Sequence, residues 1–432
     1  MKYLKKNLIL EFLILLLPIS LITGPFIPEL ILLFSIFIFL LLIYEEKDFQ
    51  FLFNDFTKIF FIFYLFIVIR SIFVDESLIS LKNSLFYFRF LFLALIIKYL
   101  ILNNNKFINK FVITFITVLF LVSVDAIIEY YIGSHWLFDK SLYAEDDNNR
   151  ISGLFDDEYI LGGFVLVFFP SIMLLFYERI KLRKKFKIII SLVILIIFIF
   201  TIIISGERSS LAKLFLLLTT IIIFTSVFGN LKIRISILVL IFFSLSLFII
   251  SQPKLNERLI YHTLDLILQN KSNSKIDRNL SIYEYFRSSN IKDLNFTYYS
   301  NEHRDHAIIS INMFKDKFIL GHGVKMFRFK CSDKKYYINE RSCSTHSHSI
   351  FFTFISELGS VGTIFLIVIY YKLIKSIFLS KKNFDKVILL TLIIYLFPFI
   401  PSGYFFNNFF SLVLYTLVGI YFGMKKLRLT NV

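Results

Sequence analysis

Ile188-Ile189-Ile190-Ser191-Leu192-Val193-Ile194-Leu195-Ile196-Ile197-Phe198-Ile199-Phe200-Thr201-Ile202-Ile203-Ile204 runs without one charged side chain, between a basic cluster from Arg179 to Lys187 and the turn Ser205-Gly206-Glu207-Arg208. A spanning helix needs roughly 20 mostly apolar residues, and working outward from this stretch the chain supplies about twelve such runs. They begin near Asn7, Ile27, Lys58, Leu81, Ile108, Tyr159, Ile188, Ser209, Ile235, Ile350, Val387 and Phe405. The fold class expected is therefore an all-α polytopic membrane protein of about 12 transmembrane helices. Helices 1 to 9 fill residues 1–250, a mostly helical loop or cap fills 251–347, and helices 10 to 12 fill 348–432. Composition agrees, because 432 residues that are 57% hydrophobic and 19% aromatic, with mean hydropathy +0.74, exclude an ordinary soluble domain. The 56 Phe carry little functional weight individually; most are expected to face lipid or other helices. The first run follows Met1-Lys2-Tyr3-Leu4-Lys5-Lys6 and is signal-like, yet it lacks a small-residue cleavage site and reads as a retained helix.

The net charge of +16 does not point to nucleic acid, since the basic residues sit in short connections between apolar runs. With a cytoplasmic N-terminus, the inside segments hold Lys98, Lys106 and Lys110, the Arg179 to Lys187 cluster, Lys232 and Arg234, Lys372 through Lys386, and Lys425, Lys426 and Arg428. The same trace puts outside Asp75-Glu76, the acidic stretch from Asp139 to Glu158, and the long polar segment from about Ser251 to Ser347, with an amphipathic helix around Leu255 to Leu268. A polar segment of that length without repeats is more often functional than idle. It holds both cysteines, Cys331 and Cys343, which either close a short disulfide loop on the oxidising side or stay as thiols. All seven histidines, at positions 135, 262, 303, 306, 322, 346 and 348, fall on the outward side, where they supply the groups that exchange protons near neutrality.

Thr345-His346-Ser347-His348-Ser349 leads into a helix, and after His348-Ser349 come nine residues and then Gly359-Ser360-Val361-Gly362. An imidazole thus stands where a polar loop enters the membrane, with small residues deeper that permit close packing. This pattern resembles the ligase-type signature of the O-antigen ligase and O-antigen polymerase superfamily. Three further islands resemble the same family in order. They are Arg150 through Gly163, Ser205-Gly206-Glu207-Arg208-Ser209-Ser210, and Arg304-Asp305-His306 followed by Leu320-Gly321-His322-Gly323.

The resemblance implies an inverting, metal-independent glycosyltransferase with no cofactor. Its donor would be an undecaprenyl-diphosphate-linked glycan and its acceptor lipid A-core or another glycan, at the periplasmic face of a bacterial inner membrane. It implies His348 as general base, with His346 able to substitute, and Arg208 and Arg304 as the diphosphate grip. Guanidinium suits that task through permanent charge and bidentate hydrogen bonds. Residue by residue, Arg208 also reads as an interfacial anchor, Arg304 as a solvated loop charge and His348 as a helix-entry residue. Arg89 and Asp125 interrupt apolar runs and, with Arg150, either line a donor groove or pair within the bundle. Asp156-Asp157-Glu158 either holds a divalent metal or caps a helix, and capping is favoured. Membrane lipids are the remaining partner. A flippase for lipid-linked oligosaccharide is the rival class, disfavoured because the polar groups concentrate in one outer loop and no repeated halves are visible. The residues leave ligase, polymerase and protein-glycosylating acceptors open.

Overall fold

A computed structural model describes residues 2–104, 106–133, 150–156, 158–227, 229–261, 263, 301–340 and 342–430. Every regular element among them is helical. In chain order these are α1 (Lys2–Ser20), α2 (Phe26–Glu46), α3 (Asp55–Ile72), α4 (Ser77–Asn103, with a turn at Phe86-Tyr87), α5 (Phe107–Ile132), α6 (Leu161–Arg179), α7 (Lys184–Ile204), α8 (Arg208–Phe224) and α9 (Leu231–Ser251). After them come the short α10 (Pro253–Asn256), the cap helices α11 (Asn301–Asp316) and α12 (Phe327–Lys330), and then α13 (Ile350–Leu379), α14 (Asn383–Tyr395) and α15 (Asn408–Thr430). Among the described residues, eight helices are long and apolar enough to cross a membrane, namely α2, α4, α5, α6, α7, α9, α13 and α15. The other four expected runs are also helical, as α1, α3, α8 and α14.

The bundle closes through small residues and rings. Gly419 and Gly423, one turn apart on α15, lie so close to α4 that a Cβ on either would stand 2.9 Å from the Ala94 carbonyl oxygen or 2.8 Å from the Ile101 side chain. In lipid, where apolar burial gives no driving force, such close backbone approach is what holds helices together. Above this seam Phe63, Tyr87, Phe354, Phe405 and Tyr415 interlock edge to face and stacked, for example Tyr87 with Tyr415 at 6.1 Å and Phe354 with Phe405 at 5.0 Å. The opposite extreme is α9, which fully buries only Ile249 and touches the bundle through partly buried side chains such as Phe242 and Phe248.

The two ends of the bundle differ. At one, basic side chains tie connections together: Arg428 bonds Glu178 and Asp385, and Lys110 bonds Glu11. At the other sits the cap. Arg70 donates to the Leu320 and Gly321 carbonyls from the end of α3, and Lys330 pairs with Asp75 at 2.5 Å. Within the cap α11 and α12 pack through Ile309, Met313, Phe327 and Tyr336, and Cys331 and Cys343 are joined as a disulfide with Cα atoms 5.3 Å apart.

The cap docks on α13 where that helix makes a π-helical turn, Phe354–Leu358. A π turn frees carbonyls from the regular ladder, and two of them are taken: Ser356 O accepts from His322 N at 3.0 Å and Glu357 O from Gly323 N at 2.7 Å. The Glu357 side chain, fully buried, accepts from Lys325 N, Phe327 N and the Tyr404 hydroxyl, the last at 2.6 Å. The amphipathic helix expected over Leu255 to Leu268 begins as α10 and a π-helical turn, Glu257–Tyr261. Its remainder from residue 264, together with His262, His135, most of the Asp139 to Glu158 stretch and Asp157, lies outside the described residues.

Candidate active site

Beneath the cap lies a cavity of about 1460 Å³ among the described residues. Its upper walls are basic and imidazole-rich. Its lower walls are apolar, formed by Pro25 and Pro28 at the α1–α2 turn, Phe164 of α6, and Leu412 and Val413 of α15.

The basic wall is assembled around Glu207, the residue before α8. Its carboxylate accepts from Gly162 N at 2.6 Å, Gly163 N at 3.2 Å and Ser210 Oγ at 2.5 Å, so one acid caps the start of α6 and fastens it to α8. A Cβ at Gly162 would lie 2.5 Å from Ser205 Oγ, which is why glycine stands there. Gly153 N donates to Glu129 and Ile151 N to the Ser205 carbonyl, so the segment carrying Arg150 is laid along the entrance of α8. Arg150 then stands over the Tyr159 ring at 5.3 Å and close enough to Arg208 and Arg258 for the three guanidiniums to repel. Burial, with that repulsion added, brings Arg258 down to about 10. Three like charges gathered in one wall are the electrostatic mark of a site for a multiply charged anion.

Facing them are four imidazoles. Rings His346 and His348 are 4.0 Å apart, and His303 and His306 each lie 5.3 Å from His348, His306 nearly parallel to it. His348 has φ +53°, an uncommon backbone state for a residue with a side chain. It is held there by Ser402 N donating to its carbonyl at 2.9 Å, while Ser344 Oγ contacts its Nε2 at 3.0 Å. Burial first, then the neighbouring ring of His306, lowers His348 to about 4. Burial lowers His303 to about 4, with His348, His306, Arg208 and Arg150 adding to it, and His346 to about 3. All are neutral at pH 7. Neither ring nitrogen of His306 has a hydrogen-bond partner among the described residues.

Five of the residues singled out from sequence, Arg150, Arg208, Arg304, His346 and His348, line this cavity, and Cys343 sits at its rim. Arg304 is 43% exposed by side chain, with its Nε 3.5 Å from Asp305. Arg89 and Asp125 are elsewhere. Arg89 is bound to Glu29 at 2.7 Å and Asn408 at 2.8 Å, and Asp125 packs beside Gly153; neither is on the described cavity wall. Of the acidic trio, Glu158 lines the cavity, and no group of three metal-ligating side chains gathers among the described residues. Sequence reasoning assigned no individual role to His303 and His306 and left Arg258, Tyr404 and Lys213 unremarked, yet all five line the cavity. A signal existed for one of them: Lys213 is a lone cation inside an apolar run, the same feature that drew notice to Arg89 and Asp125.

The architecture thus defines a polytopic helical membrane protein with one capped, basic cavity. Residues 192–367 match the family model described as O-Antigen ligase, so this part of the chain carries the pattern of the O-antigen ligase superfamily. The matched stretch includes Arg208, Arg258, Arg304 and all four clustered histidines. The family implies a glycosyltransferase-like membrane enzyme acting on lipid-linked glycans. No match is found among curated proteins.

Proposed function

We propose that the protein transfers a glycan from an undecaprenyl-diphosphate donor to a hydroxyl acceptor at the periplasmic face of a bacterial inner membrane, as an O-antigen ligase acting on lipid A-core. The observation that carries this reading is the shared cavity, in which a neutral, half-buried His348 and the guanidiniums line walls over an apolar floor. An amphipathic donor fits such a space with its isoprenoid against Phe164, Leu412 and Val413 and its diphosphate among Arg208, Arg150, Arg258 and Arg304.

In the transfer, Ser344 accepts from His348 Nε2–H and thereby leaves the Nδ1 lone pair for the acceptor. The acceptor hydroxyl loses its proton to that nitrogen as its oxygen bonds the donor's anomeric carbon. The bond from that carbon to the phosphate oxygen breaks, and the electron pair leaves with the diphosphate, whose growing charge the arginines stabilise. A single displacement inverts the anomeric centre, and the imidazolium returns its proton to solvent once the product departs. No metal enters this scheme.

The test is reconstitution of the full chain with a lipid-linked oligosaccharide and lipid A-core, with and without EDTA. His348→Ala and Arg208→Ala should each lower transfer by about 100-fold or more, and EDTA should leave it intact. Elongation of a second lipid-linked unit in place of lipid A-core labelling would reassign the chain as a polymerase. Translocation of the donor without transfer would overturn the enzyme reading.

A further inference from the structure

Lys213 is used by nothing in the scheme above. It lies inside α8, 9% exposed, with no hydrogen bond or ion pair to its side chain among the described residues. The carboxylate that acts on it is Glu207, but that group's oxygens are already occupied by Gly162 N, Gly163 N and Ser210 Oγ. An ammonium within an apolar helix is costly and is kept where a partner or a cavity compensates it. The only outlet for this one among the described residues is the cavity, whose floor it lines, together with a side chamber of about 40 Å³ bounded by Gly163, Ser210 and Tyr395.

Its height in the bundle says what it would meet. Five residues of helix place its Cα about 7.5 Å below that of Arg208 and about 140° around the axis, yet both side chains line the same cavity, so the ammonium enters it below the guanidinium wall. Below it the lining is apolar. An anion held by the arginines and continuing downward into lipid would therefore present its membrane-side end to Lys213.

We propose that Lys213 is a further donor-binding residue that holds the lipid-side phosphate of the donor, while the arginines hold the phosphate farther from the lipid. This rests on the donor reading above and deepens it. The ligand chemistry is a phosphate carried on an isoprenoid lipid.

The experiment measures binding to the full-length protein in nanodiscs of zwitterionic lipid, using undecaprenyl diphosphate, undecaprenyl monophosphate and phosphatidylglycerol as probes. Wild type, Lys213→Met, Lys213→Arg and Arg208→Ala are compared, with thermal unfolding of the unliganded proteins as a check on folding. A lost charge-assisted hydrogen bond predicts that Lys213→Met weakens binding of both the diphosphate and the monophosphate, each of which carries a lipid-side phosphate, about tenfold to one-hundredfold, and is rescued by Lys213→Arg, whereas Arg208→Ala weakens the diphosphate more than the monophosphate. Equal diphosphate affinity in wild type and Lys213→Met, with Arg208→Ala impaired, would overturn this inference and leave the donor reading standing. No diphosphate binding by wild type would remove the donor reading itself. Phosphatidylglycerol binding that Lys213→Met abolishes, without preference for the isoprenoid diphosphate, would assign the lysine to bulk lipid and overturn the inference. If Lys213→Met fails to fold, Lys213→Gln in the same assay decides.

Discussion

A general base must hold a lone pair at working pH, and His348 does so because burial, with His306 adding to it, lowers its imidazole from the ordinary 6.5 to about 4. The sign follows directly. The base is active when deprotonated, so kcat/KM should stay level through neutrality and fall only as pH drops through about 4. A bound diphosphate favours the imidazolium, so the acid limb of kcat should lie at higher pH than that of kcat/KM. His306→Asn removes a like-charged neighbour and admits water, and both changes raise His348, moving the acid limb upward. A limb that stays in place in that variant would show that another group titrates. His348 could be singled out from sequence because its spacing to Gly359 is local along the chain. The His306 ring that tunes it could not, because the 5.3 Å stacking exists only once the cap has folded over α13.

Elements meet here through backbone as much as side chains. The sequence suggested that Gly359 and Gly362 let α13 pack closely on another helix; the structure shows Gly359 serving a turn of the cap instead. Its φ is +63°, and a Cβ there would stand 2.5 Å from Gly321 N and 2.6 Å from the Ile319 carbonyl oxygen. Helical periodicity records faces, so it could not reveal that a π turn presents carbonyls to residues 322 and 323. Gly359→Ala therefore strains φ and collides with backbone that cannot move aside, at a cost of more than about 2 kcal/mol. Gly403→Ala, whose Cβ would meet only the Phe410 ring at 3.7 Å, is the tolerated control. Denaturation of the two variants in detergent should separate them, and equal stability would contradict tight docking of the cap on α13. Because this docking also orients Tyr404 beside His346 through Glu357, Gly359→Ala should lose transfer activity as well.

For the whole molecule, the bilayer made the fold easy to read, since only long apolar runs satisfy it. Helices occupy all twelve runs expected, and the four below the length or hydropathy of a clear span are the charged or short ones. α8 is one of these because it is short, 17 residues from Arg208 to Phe224. Orientation follows from charge. The clusters around Arg179 to Lys187, Lys372 to Lys386 and Arg428 gather at the end away from the cap, while Asp75 pairs with the cap through Lys330. The proposed orientation keeps the basic connections in the cytoplasm and would put the cavity on the far side, where a disulfide between Cys331 and Cys343 would also persist. Alkaline phosphatase, which needs its own disulfides, should be active when fused after Asp75 or Asp333. Green fluorescent protein should fluoresce when fused after Asn230 or Lys382. The reverse pattern would turn the cavity toward the cytoplasm, away from any donor presented on the periplasmic leaflet, and the proposed transfer would lose its substrate.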